Sequence, residues 1–150
     1  MSDTRQFIPL AGLLLTFAIA VHSMVRLDGQ QPPTGDFTNS TTAEVRDANG
    51  QVVLRGQFAA PVEDDDGEME RKAALAPTAA GTTATGEAEV EFAKDTPASQ
   101  EIEFSVSNLP AGERVTFVID GREIATATTD RQGRAEAEVD VDASGVSRSR

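Results

Sequence analysis

The sequence predicts an all-β domain: an antiparallel β-sandwich or small barrel of seven to eight short strands, preceded by an N-terminal hydrophobic helix that acts as signal or anchor. Three observations predict it. From Thr42 onward apolar and polar residues alternate at period two, the mark of strands with one buried face. Turn chemistry recurs about every ten residues, the spacing of a sandwich or barrel. Beyond the N-terminus no stretch repeats its apolar residues at the helical period of 3.6.

The N-terminal element comes first. Phe7 to Val21 reads FIPLAGLLLTFAIAV and carries no charged side chain, with Arg5 ahead of it and small polar residues behind. A charged start, an apolar run and small residues form the pattern of a secretory signal. Ala18-Ile19-Ala20 and Val21-His22-Ser23 are the two cleavage candidates. The alternative is an uncleaved anchor, since Phe7 to Val25 reaches 19 residues and a spanning helix needs about 20. Residues 1–23 are therefore read as signal peptide or N-terminal membrane anchor. Residues 24–41, rich in Gln, Pro, Thr, Gly, Asn and Ser, are read as a disordered linker. That stretch includes the glycosylation sequon Asn39-Ser40-Thr41.

The all-β domain spans 42–142. Ala43 and Val45 alternate with Thr42, Glu44 and Arg46; Asp47-Ala48-Asn49-Gly50 turns the chain; Val52, Leu54 and Phe58 return. Met69 to Leu75 is a candidate third strand, and 76–86, rich in Ala, Thr and Gly, is a loop. Ala88, Val90 and Phe92 then oppose Glu87, Glu89 and Glu91, and Ile102, Phe104 and Val106 oppose Glu101 and Glu103. Asn108-Leu109-Pro110-Ala111-Gly112 turns. Val115, Phe117 and Ile119 lead to Asp120-Gly121, whose type I′ geometry needs positive φ at both residues. Glu123 to Thr128 returns, Asp130-Arg131-Gln132-Gly133 turns, and Ala135, Ala137, Val139 and Val141 mark the last strand before the polar tail 143–150. The hairpin stretches AEVRDANGQVVLRGQF and VTFVIDGREIATATT resemble each other in placing a turn before an apolar return strand.

Composition excludes several chemistries. The chain has 150 residues, no Cys, no Trp, no Tyr and one His, His22, which lies in or beside the signal. No disulfide, thiolate metal site or Cys nucleophile can form, and a Ser–His–Asp triad inside the folded domain is excluded. No phosphate-binding glycine loop occurs. A formal charge of −12 opposes nucleic acid and anionic membrane surfaces, which need clustered Lys and Arg.

Carboxylates are the remaining candidates. Glu63-Asp64-Asp65-Asp66-Gly67-Glu68-Met69-Glu70 is an oxygen-rich run of the kind calcium favours, and Asp64, Asp65, Asp66 and Glu68 are the candidate metal ligands. Set on the EF-hand template with Gly67 at the sixth position, the run has Val62 at the first and Ala73 at the twelfth, so both ends fail. Arg71 and Lys72 supply partial counter-charge. Acidic stripes recur at Glu87, Glu89, Glu91; Glu101, Glu103; and Glu136, Glu138, Asp140, Asp142. Neighbours on one strand face lie about 6.5–7 Å apart. Glycosidases use carboxylate pairs at such separations, but every exposed strand face has this spacing. Polar outward faces account for the stripes.

The order GEAEVEF, IEFSVSNLPAGERVTFVIDG and IATATTDRQGRAEAEVDV, over residues 86–142, resembles small β-rich modules of exported bacterial proteins. The resemblance lies in turn motifs: a Leu-Pro-x-Gly turn, a strand ending in Asp-Gly, and a Thr-Asp-x-x-Gly turn before an acidic strand. It implies no activity and brings no functional residues. The expectation is an exported, non-enzymatic β-domain of the cell envelope or exterior: secreted, periplasmic, or anchored outside the cytoplasmic membrane. It would bind or support an envelope protein or surface component, without a cofactor. The alternative is an exported protein that binds a divalent cation, calcium, through the acidic loop 63–70.

Overall fold

The computed structural model describes residues 33–64 and 67–143. The hydrophobic N-terminal segment, His22, Asp65, Asp66 and the tail 144–150 lie outside the described residues. Among the described residues no helix is long and apolar enough to cross a membrane.

Among the described residues nine strands follow in order: β1 (Thr42–Arg46), β2 (Val52–Gln57), β3 (Val62–Glu63), β4 (Glu68–Pro77), β5 (Thr85–Ala93), β6 (Ser99–Ser107), β7 (Arg114–Ile119), β8 (Arg122–Thr128) and β9 (Ala135–Asp142). All pairings are antiparallel, and the sheet runs β8-β7-β1-β2-β4-β5-β6-β9, with β3 on β4. The sequence predicts seven or eight strands; the further one is β3. It is two residues long and its Val62 is 64% exposed, so it presents no alternation to read. β4 and β5 also extend into the predicted loop 76–86, which shortens to 78–84. Pro77 closes β4 where it meets Leu54 of β2, at the end of the ladder, where a missing N–H is tolerated.

The sheet bends at a narrow seam. β2 and β4 share only the pairs Leu54↔Pro77 and Arg55↔Ala76. On one side of the seam lie the two hairpins β1–β2 and β7–β8; on the other lie β4, β5, β6 and β9 in long registers of eight residue pairs each. The halves close over one core, and the end strands β8 and β9 come close together, so the sheet is a nearly closed barrel. Phe104 of β6 stacks on Phe117 of β7 across that core, with ring centroids 4.8 Å apart. Inward positions are those the period-two pattern selects: Ala43 and Val45, Val90, Ile102 and Phe104, Val115 and Phe117, Val139 and Val141. One irregularity enriches the core. A register shift after Phe117 leaves Ile124 as an extra residue on β8, and both Ile124 and Ala125 are buried.

Asp120 (φ 47°) and Gly121 (φ 78°) form the two-residue turn between the paired Ile119 and Arg122, as the type I′ requirement predicts. The turn does more than reverse the chain. The Asp120 carboxylate accepts hydrogen bonds from the backbone N–H and hydroxyl of both Thr41 and Thr42, at 2.8–3.1 Å. It thereby ties the β7–β8 turn to the entry of β1.

Residues 33–41 belong to the packed domain, although composition reads them as linker. Phe37 is fully buried in the core. Its backbone N–H donates to Oε1 of Gln100 at 2.8 Å, and Gln100 Nε2 donates to the Pro97 carbonyl at 2.9 Å. The Arg122 guanidinium stacks 3.8 Å from the centre of the Phe37 ring and donates to the Asp36 carbonyl. Arg71 donates to the carbonyls of Thr38 and Ala59. One aromatic ring thus anchors the strap in the core, and polar groups from β4, β6 and β8 satisfy the strap that carries it. At the other terminus Ala143 donates to the Ala98 carbonyl, so the last strand is tied down to the edge of the tail.

A carboxylate face as the candidate functional site

The acidic loop and the acidic stripes separate in the structure. In the loop, Asp64 closes the β3–β4 turn: its carboxylate accepts from the Glu68 N–H at 2.9 Å, and its carbonyl accepts from the Gly67 N–H. Glu68 is exposed. Asp65 and Asp66 lie outside the described residues, so the structure brings together only Asp64 and Glu68 of the four predicted ligands, and it joins them through a turn.

The stripes converge. Antiparallel register places like charge opposite like charge on the outer face of β4, β5, β6 and β9: Glu70↔Glu91, Glu91↔Glu101, Glu101↔Asp140, Glu89↔Glu103 and Glu103↔Glu138. Opposite side chains start about 4.5–5.5 Å apart at Cβ, close enough for direct repulsion. Lys72, opposite Glu89, is the cation within this ladder; its Nζ lies 3.0 Å from Glu70 and 3.5 Å from Glu89. Two groups of three carboxylates bring oxygens within 4.8 Å of one another: Glu70, Glu89, Glu91 and Glu101, Glu103, Glu138.

The electrostatics follow from that crowding. The Glu89 side chain is only 14% exposed. Burial, then hydrogen-bonding contact with the Glu70 and Glu91 carboxyls, pushes it up to about 8, against the opposing pull of Lys72. Burial likewise raises Glu101, joined by repulsion from Glu138, Glu103, Glu91 and Asp140, to about 7. At neutrality Glu89 keeps most of its proton and Glu101 a share of its own, where an ordinary glutamate has released it.

Neither group of three makes a convincing cation cage. Calcium takes six to eight oxygens, each group offers three carboxylates, and beside Glu70 and Glu89 the Lys72 ammonium already sits where a cation would bind. The chemistry this face supports is proton sharing and long-range attraction of positive charge.

The sequence pattern marks the stripes on β5, β6 and β9 but reads Glu70 as part of the loop run and Lys72 as its counter-charge. The signal for placing both on the face was present: Met69, Arg71, Ala73 and Leu75 alternate with them, and Ala73 and Leu75 are buried. No protein-family model, curated protein or solved structure matches the chain.

Proposed function

We infer that the chain is an exported, non-enzymatic β-domain of the cell envelope or exterior, acting as a binding or structural module. The observation that carries this reading is the division of labour among its carboxylates. Those of Asp47, Asp120 and Asp130 hold turns and strand entries through backbone N–H groups. Those of β5, β6 and β9 face outward in register and take no part in the core. The first set builds a fixed frame and the second gives it a charged surface, which is the build of a scaffold or adaptor.

Export rests on the Phe7–Val21 pattern and is tested by intact mass after cell fractionation. A species beginning at Val21 outside the cytoplasm supports a cleaved signal. A full-length species in the membrane fraction supports the anchor. Full-length protein confined to the soluble cytoplasm overturns export. Calorimetry with calcium tests the alternative of a cation-binding protein, which requires saturable heat at low-millimolar calcium.

A further inference from the structure

We propose that the outer face of the β4–β5–β6–β9 sheet is a proton-operated stability switch, which tightens the domain in mild acid and loosens it as the pH rises through neutrality. The inference does not depend on export or on any partner.

Its basis is the register. An unfolded chain holds these carboxylates far apart; the folded sheet sets them opposite one another on four adjacent strands. Glu89 stands at the centre. On its own strand it has Glu87 and Glu91; from β4 it meets Glu70 and Lys72; from β6 it meets Glu101 and Glu103. Beyond β6 stand Glu136, Glu138 and Asp140 of β9, and at the β3 side Glu63 pairs with Lys94 at 2.7 Å. One ammonium, Lys72, therefore faces a field of carboxylates, and it is 45% exposed. Two neighbouring carboxyls that share a proton replace repulsion with a hydrogen bond, so folding on this face takes up protons.

The raised values of Glu89 (about 8) and Glu101 (about 7) agree with the geometry. The sign follows by linkage. A glutamate raised in the folded state stays protonated there while the unfolded chain, near 4.5, has lost its proton. Between those values the folded state binds more protons, so stability falls as pH rises. The loss starts above about 4.5 and is complete above about 8.

The test is thermal unfolding of the full chain between pH 5 and pH 8.5 at constant ionic strength. The melting temperature should be higher at pH 5 by roughly 4–8 °C, a shift typical of a modest stability change in a domain of this size. Glu89→Gln and Glu101→Gln, which keep the shape and remove the charge, should each raise the melting temperature at pH 8.5 and flatten the profile. Glu113→Gln, an exposed carboxylate off this face, should leave the slope intact. Proton uptake on folding, measured by unfolding in buffers of different ionisation enthalpy, should fall in the two ladder variants. A melting temperature that is flat or rises between pH 5 and 8.5 overturns the proposal. So does a slope that survives at full size in the Glu89→Gln, Glu101→Gln double variant.

Discussion

Gly121 and Gly133 both occupy positive φ, at 78° and 73°, but the two positions differ in what a side chain would meet. Nothing lies within 4 Å of a Cβ built on Gly121, so a substitution there suffers only backbone strain. Gly121→Val should cost about 1 kcal/mol or slightly more, read as a lower urea midpoint. At Gly133 a Cβ would run into the carbonyl oxygen of Leu109, whose N–H donates to the Gly133 carbonyl. Gly133→Ala should therefore add an overpacking cost of roughly 1–3 kcal/mol to the same strain, and its midpoint should lie clearly below that of Gly121→Val. Equal midpoints would mean that the Leu109 loop yields freely. The first glycine is legible in the sequence, because Asp-Gly between two apolar runs specifies its own turn. The second is only half legible. Its turn can be read from Asp130-Arg131-Gln132-Gly133, but its collision partner belongs to a different loop and is brought there by the fold.

Among the elements, the strap 33–41 departs furthest from what composition suggests. Its neighbours are Pro, Thr, Gly, Asp and Asn, and a window average over them hides one phenylalanine. Phe37 should be among the costliest positions in the chain: Phe37→Ala should destabilise by roughly 3–5 kcal/mol, measured as loss of the cooperative urea transition or a large drop in its midpoint. A wild-type-like midpoint would show that the strap lies on the domain without holding it. Gln100 carries a partial signal. It shares the inward parity of Ile102 and Phe104, and a polar residue at an inward position calls for a buried partner. The partner, the Phe37 N–H, could not be named from sequence because it lies 63 residues away. β3 escaped for the opposite reason, being too short to carry any period.

For the whole molecule, the decisive quantity is a formal charge of −12 on the chain, with carboxylates set opposite one another on one sheet face. Self-repulsion opposes compaction, and salt shortens its range from about 10 Å at 0.1 M to about 3 Å at 1 M. The melting temperature should rise with sodium chloride, and rise more at pH 8.5 than at pH 5, where shared protons have already relieved the face. A value that is flat or falls with salt at pH 8.5 would show that repulsion among these carboxylates does not limit the stability of the fold. Calcium at matched ionic strength should match sodium; a much larger increase would reveal specific binding to the native state. A second limb bounds the profile in acid. Burial raises Asp120, but hydrogen bonds from Thr42 and Thr41 outweigh it and hold the carboxyl below 3.8. That stability is present above 3.8 and is lost as pH falls through the lower folded value. Maximum stability should therefore lie near pH 4.5, between this limb and that of Glu89. The all-β class and its two hairpins could be read from the alternation. The seam at Leu54↔Pro77 and the opposition of Glu89 to Glu103 could not, because register between strands depends on loop lengths and packing rather than on the pattern within a strand.

The near-meeting of β8 and β9 has a consequence for crowding. Open sheets recruit foreign strands along their edges, and that templating begins fibril growth. Here the two terminal strands come close to each other, and β9 turns Glu136, Glu138 and Asp140 outward along its length. A strand from a neighbouring copy would meet a nearly sealed rim guarded by negative charge. The native domain should thus remain dispersed at concentrations where an open acidic sheet of the same length would nucleate fibrils.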